Sequence, residues 1–156
     1  MAKTKIAVLI SGRGSNMQAL LDAAKDEDFP AEIVLVASNR PDAAGLAVAE
    51  AAGIATEVID HHDYEGREAF EEALDSTLKM YGPRIVCLAG FMRILTPWFT
   101  ERWRDLLINI HPSLLPAFKG LHTHERALEA GVRIHGCTVH YVRPEMDDGP
   151  IIGQAA

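Results

Sequence analysis

Residues 6–16 read Ile6-Ala7-Val8-Leu9-Ile10-Ser11-Gly12-Arg13-Gly14-Ser15-Asn16, an apolar run that passes directly into a turn with two glycines. A short, continuous apolar run bounded by turn residues is typical of a strand that is buried on both faces. Beyond the turn, Met17, Leu20, Leu21 and Ala24 recur at helical spacing, which predicts an amphipathic helix. The stretch therefore predicts a βα unit, from which parallel sheets covered by helices are built.

The alternation of strand and helix continues along the chain. Apolar runs predict further strands at residues 33–37, 54–59, 84–89 and 106–110, and late strands at residues 137–142 and 151–154. Between them we expect helices that end at Gly53, span residues 65–80, run from Thr96-Pro97 to about residue 104, and span residues 124–130. This order predicts an α/β fold, a mostly parallel, Rossmann-like sheet with helices on both faces, in which ligands gather at the carboxyl ends of the strands.

Length and composition predict a single domain over residues 1–156, since a chain of 156 residues with 48% hydrophobic and 24% charged residues can bury a substantial core. The formal net charge of −7 argues against a general binder of nucleic acid or membrane surfaces. No apolar run reaches membrane-spanning length and no signal peptide is evident, so we expect a cytoplasmic protein. Cys87 and Cys137 lie in apolar runs and are expected to be buried, reduced thiols.

The glycine loop, residues 11–16, joins the first strand to the first helix. Glycines let the backbone approach a ligand closely, and a helix N-terminus offers free N–H groups to an anion. A dinucleotide loop would place a third glycine at Met17, and a Walker loop would need Gly-Lys-Ser/Thr. A phosphate monoester therefore fits this loop better than a dinucleotide or a triphosphate, and a tight turn without a ligand is the alternative.

A second chemical signal lies in the stretch Leu106 to Pro116. Asn109 and His111 stand two residues apart at the end of an apolar run, so both side chains point to one face of a strand. An amide that steadies an oxyanion beside an imidazole that moves a proton suits acyl transfer. The alternative is a strand that ends in a polar turn with a surface histidine.

The remaining candidates are weaker on the residues alone. The apolar loop at residues 91–95 could form the wall of a heteroaromatic site or simply pack on the core. Asp147 lies in the acidic loop 144–150, which also reads as a solvated turn. His122 and His124 lack a third ligand of suitable type, so no metal is expected. His140 reads as a supporting group or a core histidine, and His61, His62 and His135 as solvated loop residues.

The chain resembles the formyltetrahydrofolate-dependent transferases. The resemblance is carried by Asn109-Ile110-His111-Pro112-Ser113-Leu114-Leu115-Pro116, by residues 10–16, 88–95, 120–124 and 136–140, and by Asp147-Asp148-Gly149-Pro150-Ile151-Ile152. These motifs follow in the family's order over essentially the whole chain. The resemblance implies a Rossmann-like formyltransferase fold and transfer of the formyl group of 10-formyltetrahydrofolate, the co-substrate, to the amine of glycinamide ribonucleotide.

The resemblance also assigns residues to roles. It implies catalytic roles for Asn109, His111 and Asp147, with Asp147 beside His111, where a carboxylate favours the imidazolium form. It implies that the substrate phosphate is held by Gly14, Ser15 and Asn16. It implies that the folate is contacted by Arg67, Met92, Arg93, Ile94, Leu95 and Asn109. No metal is implied.

Alternatives to this function remain at the level of sequence. Formyltetrahydrofolate deformylase and methionyl-tRNA formyltransferase share the motif, but we expect neither, because the first strand starts near Ile6 and the chain is short and acidic. A non-catalytic folate- or nucleotide-binding protein is the rival of another class. Family members continue for several tens of residues, so residues 1–156 are expected to lack the C-terminal end of the family fold. A homodimer is left open.

Overall fold

The computed structural model describes residues 2–156, and strands and helices alternate along them as the sequence predicts. The elements are β1 (Thr4–Ile10), α1 (Ser15–Ala23), β2 (Ala31–Ser38), α2 (Ala44–Ala51), β3 (Thr56–Val58), α3 (Arg67–Tyr81), β4 (Ile85–Leu88), α4 (Pro97–Arg102), β5 (Leu107–His111), α5 (Thr123–Ala130), β6 (Cys137–Tyr141) and β7 (Ile151–Ala155). A 3-10 turn at His61–Asp63 precedes α3. Among the strands, the boundaries differ most at β2, which begins two residues before the predicted run, and at β3, which is shorter than the apolar run that predicts it. β5 is shifted by one residue and includes His111.

The strands form one sheet in the order β3-β2-β1-β4-β5-β6-β7. Neighbours from β3 to β5 are parallel, whereas β6 and β7 are added antiparallel. The α/β prediction of a mostly parallel sheet is therefore confirmed. Because the chain winds outward in one direction from β1 and in the other from β4, the carboxyl ends of these two strands flank the crevice where such sheets bind ligands.

Alternate side chains of β1 divide between two cores, one on each face of the sheet. Ala7 and Leu9 lie in a core that contains Phe70, Leu74 and Leu78 of α3 and residues of the α4 segment. Ile6, Val8 and Ile10 lie in the other core, against Met17 and Leu21 of α1 and Leu46 and Ala49 of α2. This two-sided burial explains the continuous apolar run of β1 and confirms that helices cover both faces.

The cysteines are both free thiols, but they differ in burial. Cys87 in β4 is buried, and its burial raises the pKa of the thiol to about 11. Cys137, at the start of β6, is half-buried, so the expectation of two buried thiols is wrong for this residue. No helix within residues 2–156 is both long enough and apolar enough to cross a bilayer.

Candidate active site

A cavity of about 680 Å³ opens at the carboxyl ends of β4 and β5. It gathers many of the residues that the sequence nominated, from four separate segments of the chain. Its lining includes Asn16, Met92, Arg93, Ile94, Leu95, Asn109, His111 and Asp147. Gly14, Ser15 and Arg67 are not among the lining residues. The catalytic candidates therefore share one volume with the apolar loop that follows β4.

His111, the last residue of β5, faces hydrogen-bond acceptors on both ring nitrogens. Its Nδ1 lies 3.4 Å from Oδ1 of Asp147, and its Nε2 donates to the carbonyl of Phe118 at 2.9 Å. Both side chains of the ion pair are at least nine-tenths buried. An imidazolium has two N–H donors, so it is the form that satisfies both acceptors. The surroundings therefore suit a histidine that carries and donates a proton.

Asp147 is held in place by its own loop and by the loop that crosses it. Its backbone φ of +52° lies in the left-handed region, and its Oδ2 accepts from the backbone N–H of Gly120 at 2.8 Å. Next to it, Asp148 pairs with Lys119, whose hydrogen bond lowers the pKa of Asp148 below its ordinary value. Backbone and charge contacts thus fix the carboxylate against His111.

Asn109 lies opposite His140 in the antiparallel pairing of β5 with β6. Nδ1 of His140 donates to the carbonyl of Tyr141 at 2.9 Å, because a carbonyl can only accept. Nε2 of His140 is then the acceptor for Nδ2 of Asn109, 3.4 Å away. This contact leaves the second N–H of the Asn109 amide as the donor available to a ligand. His140 is also buried in the sheet, so it combines both roles that its sequence context suggested.

The wall loop, residues 91–95, forms an apolar side of the cavity. Met92 and Ile94 are 65% and 56% exposed, whereas Leu95 turns into the core of the α3 face. The guanidinium of Arg93 lies over the ring of Phe70, 5.8 Å from its centroid. Apolar side chains that remain uncovered at a strand's carboxyl end suit a flat heteroaromatic ligand.

The glycine loop leads into α1 without a side-chain cap. Gly14 has φ +71°, and a Cβ built on it would meet Cε of Met17 at 2.9 Å. The same loop is tied to α2, since the N–H of Gly45 donates to the carbonyl of Gly12 at 3.0 Å. Uncapped N–H groups at the first turn suit an anion. Ser15 and Asn16 are exposed, and Asn16 reaches the lining of the cavity.

Arg67, His61 and His124 lie away from the cavity. Arg67 is the exposed first residue of α3. His61 is half-buried and lies 3.2 Å from Nδ2 of Asn39, so reading it as a solvated loop residue is wrong. The donor atoms of Asp60, His61 and His62 lie within 4.8 Å of one another, a spacing at which three such groups could hold a metal ion.

His124 lies beside another histidine, since its Nδ1 is 3.0 Å from Nε2 of His135.

Several contacts that support the site are not predicted by the sequence. Ser11 accepts the backbone N–H of Met92 at 2.8 Å and donates to Asn39, so it ties the wall loop to the ends of β1 and β2. Phe118 supplies a carbonyl to His111. Glu71 is a buried acid, and the sequence carries a signal for it, because it lies beside Phe70 and Leu74 in the buried stripe of α3.

Residues 4–156 match the family described as formyl transferase. Among individual proteins, the chain is 50% identical over 150 residues to phosphoribosylglycinamide formyltransferase of Escherichia coli (strain K12). The alignment covers 96% of this chain and 71% of that protein. It is 53% identical over 154 residues to the trifunctional purine biosynthetic protein adenosine-3 of Gallus gallus. That alignment covers 99% of this chain, which spans 15% of the length of that protein.

Solved structures match closely as well. The phosphoribosylglycinamide formyltransferase of Brucella melitensis superposes with a TM-score of 0.95 at 51% identity, covering 99% of this chain and 79% of that one. The enzyme of the same name from Coxiella burnetii, in complex with CHES, superposes with a TM-score of 0.94 at 47% identity, covering 98% and 72%. The superposition covers nearly the whole of this chain, so the fold is shared with these structures.

Proposed function

The chain belongs to the formyl transferase family, and from that premise we propose that it transfers the formyl group of 10-formyltetrahydrofolate to the amine of 5'-phosphoribosylglycinamide, a step of purine biosynthesis. The observation that carries the proposal is the convergence of Asn109, His111 and Asp147 in one cavity, between the wall loop and the start of α1. An amide donor, an imidazole and a carboxylate at this spacing support acyl transfer rather than binding alone.

The reaction forms a bond between the substrate amine and the formyl carbon and breaks the bond from that carbon to the folate nitrogen. In the tetrahedral intermediate the former carbonyl oxygen carries negative charge, and the free N–H of Asn109 is the donor assigned to it. His111 gives its Nε2 proton to the departing folate nitrogen, and the proton lost by the amine restores the imidazolium. Asp147 orients His111 and stabilises its charge throughout.

This step requires His111 to exchange one partner. In the structure its Nε2 donates to the carbonyl of Phe118, so the folate nitrogen has to take the place of that carbonyl. The exchange keeps the number of hydrogen bonds to the imidazolium constant. No covalent intermediate with the protein is needed.

The two ligands are assigned to opposite sides of the catalytic cluster. Gly14, Ser15 and Asn16 hold the substrate phosphate at the uncapped start of α1. Met92, Arg93, Ile94 and Leu95 wall the pterin ring, Asn109 contacts the formyl end, and Arg67 also contacts the folate. The donor is a co-substrate and the reaction needs no metal.

We further propose that the protein works in the cytoplasm on these small molecules, without nucleic acid or membrane partners, as a monomer or a homodimer. The net charge of −7 supports the absence of nucleic acid and membrane partners, because it disfavours polyanions. The substrate phosphate is then bound by a local site rather than by the overall charge.

The test is to follow the formyl label from donor to product by mass spectrometry. The protein is incubated with 10-formyltetrahydrofolate labelled in the formyl group, with and without glycinamide ribonucleotide. We expect the label in the amide of the ribonucleotide and no release without it. Label in free formate would instead identify a deformylase, and label that stays on the folate would identify a binding protein.

A further inference from the structure

The wall loop ends at a buried carboxylate. Glu71 of α3 is 1% exposed, and its Oε2 accepts the backbone N–H of Thr96 at 2.8 Å. Its Oε1 accepts the hydroxyl of Thr96. Thr96 is the N-cap position of α4, yet its own side chain does not cap the helix. The hydroxyl that sequence rules assign to capping is therefore committed to Glu71.

The other end of the wall loop is held by a second buried side chain. The hydroxyl of Ser11 accepts the N–H of Met92, and Ser11 is itself fixed by Asn39. Both Ser11 and Asn39 are buried. The wall loop is thus held near both of its ends by buried side-chain acceptors, Ser11 at Met92 and Glu71 at Thr96.

These contacts matter because burial alone does little to hold the segment between them. Met92 and Ile94 stay largely exposed, and within residues 91–95 only Leu95 is a full member of the core. A surface that must stay uncovered to receive a ligand gains little stability from its own packing. Glu71 holds Thr96 through both of its carboxyl oxygens, one on the backbone N–H and one on the hydroxyl, so it is suited to fix this loop.

We propose that Glu71 is a positioning residue for the formyl donor. By holding Thr96, Glu71 sets the wall loop at the spacing that the pterin ring requires. The assignment rests on the proposed function, since it takes the wall loop to be the folate side of the cavity. Glu71 acts through Thr96 and is not among the residues that line the cavity. Its loss should therefore weaken folate binding more than it slows the chemical step.

The same helix offers a matched control. Asp75, one turn further along α3, is also a buried acid that fastens α4, through Nε1 of Trp103 at 2.9 Å and the guanidinium of Arg102. It touches the end of α4, whereas Glu71 touches the residue that follows the wall loop. Replacing either acid loosens α4 on α3, but only Glu71 also releases the wall loop.

The experiment compares Glu71→Leu with Asp75→Leu. Calorimetry gives the Kd for tetrahydrofolate, steady-state assays give kcat and KM for the formyl donor, and amide exchange reports on residues 90–96. For Glu71→Leu we expect the Kd and KM to rise about tenfold with kcat changed less, and the Thr96 amide to lose protection. Asp75→Leu should lower the Tm but leave the Kd within about twofold of the parent.

Two milder variants test the assignment even if Glu71→Leu does not fold. Thr96→Val removes the hydroxyl contact and keeps the N–H contact, so it should raise the Kd about threefold. Glu71→Gln keeps one acceptor oxygen and should restore most of the binding.

The outcomes separate this assignment from the proposed function. Equal Kd values for the parent and Glu71→Leu, or equal losses in Glu71→Leu and Asp75→Leu, overturn the assignment alone. Where Glu71→Leu does not fold, equal Kd values for the parent and Thr96→Val do the same. Failure of the parent protein to bind tetrahydrofolate overturns the proposed function and the assignment with it.

Discussion

Asn109 and His140 face each other across β5 and β6, and the pair decides which way the Asn109 amide points. The carbonyl of Tyr141 fixes the proton on Nδ1 of His140, which leaves Nε2 as an acceptor for Asn109. Had the amide been reversed, two acceptors would face each other inside the sheet. His140 therefore serves the proposed reaction by orienting Asn109 so that an N–H of its amide, rather than the amide oxygen, faces the oxyanion.

We predict that His140→Phe lowers kcat about tenfold, because the ring is kept but the acceptor that orients Asn109 is lost. The control is the Asn109→Ala background, in which the same substitution should have almost no further effect, since the group it orients is gone. Circular dichroism verifies folding. Independent, multiplicative effects of the two substitutions would separate His140 from Asn109.

The glycine loop gives a second prediction at this scale. Ser15→Ala and Asn16→Ala should raise the KM for glycinamide ribonucleotide and leave the KM for the formyl donor nearly unchanged, because the wall loop lies elsewhere. Gly14→Ala should instead lower the free energy of unfolding by about 1 kcal/mol or more, since its φ of +71° disfavours a Cβ. Equal losses for both ligands in a folded Ser15 or Asn16 variant would contradict this division of the cavity.

The sequence predicts which side chains share a face of a strand, but it does not predict their partners on other segments. The period of a strand places Asn109 and His111 on one face, so their meeting is readable from their spacing. The partner of Asn109 is not, because the register of β6 is set by the segment between the two strands. Phe118 also escapes prediction, since it contributes a backbone carbonyl that carries no side-chain signature.

At the scale of elements, α3 shows how charge enters a core. Glu71 and Asp75 lie one turn apart among the buried residues of this helix, and both bind the α4 segment. Burial alone would raise the pKa of Asp75, but the hydrogen bonds from Lys79, Trp103 and Arg102 outweigh burial and lower it. A lowered pKa means that the folded state favours the carboxylate.

The stability of the α3–α4 contact should therefore depend on pH. Because the folded pKa of Asp75 is below the unfolded one, its contribution is complete above the ordinary aspartate value of about 3.9 and is lost as pH falls below it. Urea unfolding of Asp75→Asn should show a flatter decline in acid than the parent. Asp22→Asn is the control, since its exposed pair with Lys25 contributes little. Parallel pH profiles for Asp75→Asn and the parent would contradict the argument.

At the scale of the whole molecule, the alternation of apolar runs and helical patterns suffices to predict the parallel part of the sheet. Runs such as residues 6–10 are apolar at every position because helices cover both faces. The short β3 and the antiparallel direction of β6 and β7 are not written in local patterns. Strand order and direction depend on how the connections fold back, which is a property of the complete sheet.

The two thiols should react at different rates, because Cys87 is buried and Cys137 is half-buried. Cys87 sits in the central strand β4 with its pKa raised to about 11, so it should react with a thiol reagent at pH 8 only as fast as the protein unfolds. Cys137 lines the cavity and is half-buried, so it should react first. Bound tetrahydrofolate should slow the reaction of Cys137, because this residue lines the cavity. Two equally fast reactions in the folded protein would contradict the burial of β4.

The cavity of Asn109, His111 and Asp147 is proposed to join two small molecules by formyl transfer. The most direct measurement is the absorbance change of the released folate, recorded with and without glycinamide ribonucleotide, for the parent protein and for His111→Ala. We predict release that depends strictly on the ribonucleotide and falls by roughly 10²-fold or more in the variant, which should remain folded. Release that does not depend on the ribonucleotide, or an unchanged rate in His111→Ala, would contradict the claim.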